Sequence, residues 1–408
     1  MNVATLRLID AWVGVPMCVA LTGWRKLVGL FARKPDGPVE RILFVKLAEQ
    51  GSTVLAHAAI QEAADRVGRE NVYFLVFAEN RPILDAMQMI PEENVVAVNA
   101  KKLWRVPFSL LAALWRLRRL RFDAAIDLEF YARSTAILTY LSRAKRRVGL
   151  HAYAGDGPWR GDLMTHRLAY NPHLHTSQFF ELQVRAIDQP PEGFPIFDAQ
   201  AKDVHELPRG TFAPGDEELE TVRGIVRRVV GHDEPVRLVL LNANCSDLLP
   251  LRKWGEANYV ELATRLLAEY PDVVVAFTGA PSEAESVDAL VREIGSDRCV
   301  SFAGHTTLRQ LLVLYGLSEI LVTNDSGPAH FATLTPIDVV TLFGPETPRL
   351  FGAIGERSHL FWAGTACSPC VSAYNNRVLS CHDNVCMQRI GVDEVHAKVR
   401  EVLAGRRE

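Results

Sequence analysis

Charge of either sign is in short supply as a net quantity in this 408-residue chain. Its 45 Lys and Arg nearly balance its 48 Asp and Glu, for a formal net charge of −3. Such a balance gives no electrostatic case for nucleic acid, and none is expected among the partners. Cysteine is scarce as well: seven in a chain this long exclude a secreted disulfide scaffold. No cleavable signal sequence is evident, so a reducing compartment, the cytoplasm, is expected. Internal repeats and low-complexity tracts are absent, which excludes solenoids and fibrous folds. The 13 uncharged residues from Ala11 to Gly23 fall short of the ~20 that span a bilayer.

What that run does carry is Trp12, Pro16 and Trp24, with Arg25, Lys26, Arg33 and Lys34 on its C-terminal side. Aromatic residues and a basic flank suit a segment lying in the membrane interface. A helix packed on the protein's own surface is the other reading. Lys34-Pro35-Asp36-Gly37-Pro38 reads as a linker, so residues 1–36 are set apart as a membrane-interface segment and linker.

From Val39 onward β-rich apolar runs alternate with helical ones, the pattern of α/β domains with parallel sheets. ERILFVKL, NVYFLVFA and FDAAIDLEF are strands of the first half; LLAALWRLRRLR before the third is an amphipathic helix with a basic edge. That edge suits either solvent or the anionic headgroups of lipid or a phosphorylated glycan. The polar, proline-containing stretch Asp188 to Asp216 interrupts the alternation, giving domains 37–200 and 201–408. In the second, VRLVLLNAN, DVVVAFTGA, CVSFAG, EILVTND and DVVTLFG are strand-like, most of them ending in small or polar residues where a parallel sheet opens its ligand crevice.

After EILV comes Thr323-Asn324-Asp325-Ser326-Gly327-Pro328-Ala329-His330. A strand that stops at NDSG and restarts as a helix gathers amide donors, a hydroxyl and the positive end of a helix dipole, the elements of an anion site. The same residues also suit a capped turn with no ligand.

The segment from Glu319 to Gly355 resembles the C-terminal signature of glycosyltransferase family 9, the lipopolysaccharide heptosyltransferases: D-[ST]-G-x-x-H-x-x-A followed by F/Y-G-P-T. Glu346 stands where that threonine is usual. Gly279 to Glu283 resembles the family's G-x-x-x-E segment, Arg252-Lys253-Trp254 its K-x-W, and Lys46 to Ser52 its K-x-x-x-x-G-D turn. The likeness extends over about residues 40 to 400 and is more specific in the second half. It implies the GT-B fold, two Rossmann-like domains facing across a cleft, with inversion at the anomeric carbon and no metal or other cofactor required.

Carried onto this chain, the resemblance implies a donor site in which Arg252 and the amides of Ser326 and Gly327 hold a diphosphate. Glu283 would accept from ribose hydroxyls, and Asp325 and His330 would face the diphosphate and the sugar. The implied partners are a nucleotide-sugar, ADP-heptose first among them, and a glycolipid or oligosaccharide acceptor at the inner face of the cytoplasmic membrane.

An inverting transfer needs a general base, and the family's aspartate is replaced here by Ser52. An unactivated serine cannot serve, so Glu49 in the same turn is the expected base, with Ser52 positioning it and Gly51 easing the turn. Asp127 and Glu129, which end FDAAIDLEF, are the other candidates. A sugar-nucleotide epimerase and a non-catalytic transferase relative are the competing readings. Cys367, Cys370, Cys381 and Cys386 form C-x2-C-x10-C-x4-C, open to structural zinc, disulfides or reduced thiols.

Overall fold

The computed structural model describes residues 10–29, 37–153, 155, 157–232, 234, 236–245, 249–375 and 380–406. Arg33, Lys34 and the start of the expected linker lie outside them. The chain divides into two units: residues 1–208 with 372–378, and residues 209–371 with 379–408. The N-terminal segment thus belongs to the first unit, and a short piece of the C-terminal half returns to it.

In the first unit a π-helical turn, Asp10–Gly14, leads into α1 (Val15–Gly29). The sheet strands are β1 (Ile42–Val45), β2 (Val72–Phe77), β3 (Val95–Val98), β4 (Ala124–Asp127), β5 (Arg146–Leu150) and β6 (His166–Leu168). They pair in the order β3-β2-β1-β4-β5-β6, parallel throughout. Helices α2 (Gln50–Leu55), α3 (His57–Val67), α4 (Val106–Leu120), α5 (Arg133–Leu141) and α6 (Thr176–Arg185) connect and cover them.

Both faces of this sheet are buried, which is why its strands read as continuous apolar runs. Ile42, Phe44, Phe74 and Ile126 face α3 and α6, while Leu43, Val45, Leu75 and Ala125 face α4 and α5. Three of these strands are legible as β-rich runs; β3, β5 and β6 are additions of the structure. VVAV is short, RRVGL opens on two arginines, and HRL pairs through only three residues, so none carries a long apolar signal.

On the α5 side α1 is seated by Cys18 and Leu21, which pack on Ala136, Ile137, Leu163 and Met164. Arg25 Nη1 reaches Asp162 Oδ2 at 2.5 Å, and Arg133 pairs with Asp10. The N-terminal helix is therefore docked on its own domain along one side, while Trp12 and Trp24 stay exposed on the other. No helix among the described residues is long and apolar enough to cross a membrane.

The second unit repeats the plan. Strands β7 (Arg237–Asn242), β8 (Val273–Phe277), β9 (Cys299–Ser301), β10 (Ile320–Asn324), β11 (Asp338–Phe343) and β12 (Ser358–Trp362) lie in the order β12-β11-β10-β7-β8-β9, again all parallel. Counted from its own first strand each sheet is 3-2-1-4-5-6, the doubly wound dinucleotide-binding order. β12 is an addition to the five expected strands. Helices α7 (Glu256–Glu269), α8 (Gly327–Ala332) and α9 (Val392–Gly405) flank the sheet, and α7 and α9 share a core with Val239, Val275 and Phe277.

Candidate active site

In a doubly wound sheet the chain leaves the first and fourth strands on opposite courses, and the crevice outside their carboxyl ends takes the ligand. In the first unit these are the ends of β1 and β4, in the second those of β7 and β10. The residues singled out from the sequence fall at these ends or in the loop after β8.

Beyond β1, Lys46 is fully buried and its Nζ lies 3.5 Å from Glu129 Oε2; the Ala48 N–H donates to Glu129 Oε1 at 3.0 Å. Glu129 thus fastens the β1 loop to the end of β4. Asp127 is enclosed: Arg160 pairs with its Oδ2, Thr135 Oγ1 donates to the same oxygen at 3.1 Å, and the Glu129 N–H donates to Oδ1 at 3.1 Å. A fully buried carboxylate held by a buried guanidinium braces the unit and is poorly placed to receive a proton from a substrate.

Glu49 is different. It precedes α2 with φ 64° and ψ 80°, a left-handed conformation that a non-glycine residue adopts at a cost of about 1–2 kcal/mol. The strain of this turn therefore sits at Glu49, while Gly51 lies within α2, contrary to the expectation that the glycine eases the turn. Ser52 is also inside the helix. Instead of capping it, its Oγ donates to the Glu49 carbonyl at 3.0 Å and lies 3.4 Å from Glu49 Oε2. A serine at this position can orient Glu49.

In the second unit Asn324 organises the site. Its Nδ2 donates to the carbonyls of Ala243 (3.0 Å) and Asn244 (3.2 Å) beyond β7, and its Oδ1 accepts from the Trp254 N–H (3.0 Å) and Tyr259 OH (3.2 Å). Trp254 is itself buried and donates Nε1–H to Ile390 O at 2.7 Å. The tryptophan of the R-K-W stretch is therefore a brace. Sequence reasoning missed Asn324, although a buried amide next to an expected site residue is the kind of signal that marks such a bracket.

Arg252, Asp325, Glu346 and His330 come together beyond β7 and β10. Arg252 Nη1 is 3.6 Å from Asp325 Oδ2 and 3.4 Å from Glu346 Oε2. All three carboxylate and imidazole groups are nearly inaccessible. Burial and then the Asp325 charge push the Glu346 carboxyl well above the usual range. Burial also brings the His330 imidazole down to about 4 against the opposing pull of Asp325, so it is neutral at pH 7. His330 Nδ1 and Arg252 Nε have no hydrogen-bond partner among the described residues. Buried polar atoms are almost always satisfied, which sets these two apart within the cluster.

Ser326 precedes α8 in extended conformation and gives its side chain no capping role; its hydroxyl donates to the Asn324 carbonyl at 3.1 Å. With Gly327 opening the helix, the amides of this turn stand beside Asp325. Glu283 is occupied in part as a cap, since its Oε2 accepts from the Ala280 N–H at 2.7 Å.

Among the described residues, Cys367, Cys370, Cys381 and Cys386 are not joined in disulfides. Burial and the neighbouring thiols Cys381 and Cys367 raise Cys370 above the ordinary thiol range. Among the described residues no three His, Cys, Asp or Glu are arranged to hold a metal ion.

Two doubly wound domains, one of which gathers an arginine, a carboxylate pair and a buried histidine beyond its strands, fit the nucleotide-dependent transferases of the GT-B class. Glycosyltransferase family 9 (heptosyltransferase) matches residues 111–378, and the chain belongs to this family. Lipopolysaccharide heptosyltransferase 2 of Salmonella typhimurium is 32% identical over 114 residues, 27% of this chain and 32% of that protein, so this match spans about a third of the relative's length. The core heptosyltransferase OpsX of Haemophilus influenzae is 21% identical over 322 residues, covering 78% of this chain and 82% of that one. The structure of E. coli ADP-heptose lipopolysaccharide heptosyltransferase II shares the fold, with a TM-score of 0.69 at 16% identity over 90% of this chain and 100% of that one. The epimerase alternative gains no support from these likenesses.

Proposed function

We propose that the protein is an inverting glycosyltransferase moving heptose from ADP-heptose to a lipopolysaccharide-type or lipid-linked acceptor at the inner face of the cytoplasmic membrane. The observation that carries this is the cluster of Arg252, Asp325 and His330 beyond β10, in which Arg252 Nε and His330 Nδ1 have no hydrogen-bond partner among the described residues, in a chain of a heptosyltransferase family. Arg252 and the Ser326–Gly327 amides take the diphosphate, which leaves with the negative charge they neutralise. Glu283 keeps one oxygen for the donor ribose. His330, neutral at pH 7, offers a donor or acceptor to sugar or phosphate oxygens. The named activity of the E. coli relative supports ADP-heptose as the donor.

Glu49 takes the acceptor's proton. Asp127 is held by Arg160 and Glu129 is engaged by Lys46, whereas Ser52 stands by to orient the Glu49 carboxylate. The proton passes to Glu49 as the acceptor oxygen attacks the anomeric carbon and the bond to the diphosphate breaks. Residues 1–36 hold the protein at the membrane through the exposed side of α1. A non-catalytic role is the second reading, favoured by Ser52 in place of the family's aspartate.

Purified protein incubated with ADP-heptose and a soluble acceptor analogue decides between them. Glycosylated product and released ADP are expected. Glu49→Gln should lower turnover by roughly 10²–10⁴-fold with ADP affinity nearly unchanged, because a general base acts in the transition state. ADP binding with no transfer by wild type would establish the binding-protein reading, and near-normal turnover in Glu49→Gln would remove Glu49 from the mechanism.

A further inference from the structure

The α4 region exposes large apolar side chains that its own core does not use. Ala113 and Leu117 turn inward onto Leu43, Leu75 and Val98. On the opposite side Trp104 (64%), Phe108 (68%), Leu111 (64%) and Trp115 (58%) are exposed. Within α4 the spacing of Phe108, Leu111 and Trp115, i, i+3 and i+7, places them in one stripe within about 60° of helix circumference, and Trp104 precedes the helix in a short 3-10 turn.

Charge along this segment has one sign, with Glu93 of the neighbouring turn meeting Arg116 through its carbonyl. Between Lys101 and Arg121 there are seven basic residues and no acidic one, and all seven are exposed. Arg105 lies over the Trp104 ring at 4.7 Å and Arg119 over Trp115 at 3.5 Å, so an indole at each end of the stripe carries a guanidinium. This pairing of amphipathic rings and cations suits the headgroup layer, where the ring sits at the boundary and the cation meets phosphate.

We propose that α4 is an anionic-lipid docking face, its stripe buried at the headgroup boundary and its basic residues on acidic phospholipid; the inference rests on the reading of a lipid-linked acceptor. Charge complementarity selects this occupant. A second copy of the chain placed symmetrically on the stripe would set seven cations against seven, whereas an anionic leaflet attracts each of them. α1 and α4 both touch α5: Cys18 and Leu21 pack on Ala136 and Ile137, and Arg118 Nε donates to Leu141 O at 2.9 Å. Docking through α4 therefore survives without the first 36 residues, though more weakly.

Vesicle flotation of the full chain tests this, with phosphatidylcholine vesicles compared with vesicles holding about 30% phosphatidylglycerol. Wild type should bind the anionic vesicles at least tenfold better, and high salt should reduce the difference. Trp104→Ser/Phe108→Ser/Trp115→Ser should lose at least tenfold in anionic binding with α1 intact. Lys101→Glu/Lys102→Glu, on exposed turns where folding is not at stake, should lose several-fold. Wild-type flotation of either variant overturns the proposal, as does equal binding to neutral vesicles. A wild-type dimer that the triple variant converts to monomer overturns it too, since a second copy would then cover the stripe. Transfer to a soluble acceptor should be unchanged in both variants; loss of the transferase reading would appear in that assay and leave flotation untouched.

Discussion

At the scale of single residues, Glu346 stands out because it places a second carboxyl beside Asp325 on one guanidinium. With its pKa raised by burial and by Asp325, it holds its proton to higher pH than an ordinary glutamic acid. A diphosphate brought to Arg252 favours that neutral form further. As pH rises through the raised pKa the proton leaves, two carboxylates face the incoming anion, and affinity should fall, by up to about tenfold per pH unit. In Glu346→Gln the same neutral shape persists at every pH, so ADP affinity should be flat. Isothermal titration of ADP from about pH 6 to about pH 9 checks both, and a wild-type affinity that rises with pH would refute the protonated pair. The sign for folding is the same. A carboxyl with a raised folded pKa contributes stability that is fully present below its unfolded pKa and is lost as pH rises through the folded one.

At the scale of elements, the seat of α1 depends on a close backbone approach at Gly161. Its φ is +79°, and a Cβ there would meet Thr22 Oγ1 at 2.9 Å and Cys18 Cβ at 3.2 Å. Thr22 Oγ1 already accepts from the Asp162 N–H at 3.0 Å, so the side chain has little room to yield. Gly161→Ala should therefore destabilise the docked helix by about 1–3 kcal/mol, part from the left-handed backbone and part from the contact. Limited proteolysis should then cut between α1 and β1 faster than in wild type, with the β1–β6 core still protected. Equal cleavage rates would show that α1 is not seated on this loop. Apolar residues on both sides of α1 made its role ambiguous from the chain alone: Cys18 is buried while Trp12 is 78% exposed, and nothing in composition tells one side from the other.

For the whole molecule, each unit has its own core, the second built on Val239, Val275 and Phe277 with α7 and α9, the first on the two faces of its sheet. A nucleotide bound beyond β10 should stabilise only its own unit, by about 2.7 kcal/mol at ~100 times its dissociation constant. Hydrogen exchange with and without ADP reads this directly: amides of β7, β8, β10 and β11 should slow, and those of β1, β2 and β4 should keep their rates. Uniform slowing of both sheets would show the units to be one cooperative block.

Which runs become strands, and where their polar ends fall, follows from the chain alone, because parallel strands buried on both faces must be apolar and their loops must not be. The NDSG turn was legible for that reason; Arg252 and the Glu49 turn were legible through the resemblance to glycosyltransferase family 9. Short strands such as HRL were not, since three residues carry no period. The roles inside the site also required packing. Asp127 and Glu49 are both acidic residues near strand ends, yet one is enclosed by Arg160 and Thr135 while the other stands in a strained turn beside Ser52. Asn324 and Trp254 turned out to be brackets, Glu283 partly a cap, and Glu346 a buried carboxyl with a raised pKa beside Arg252. Sequence fixes which groups a chain can offer; which of them are desolvated, paired or left without a partner depends on neighbours tens to hundreds of residues away, brought together only when the sheets close.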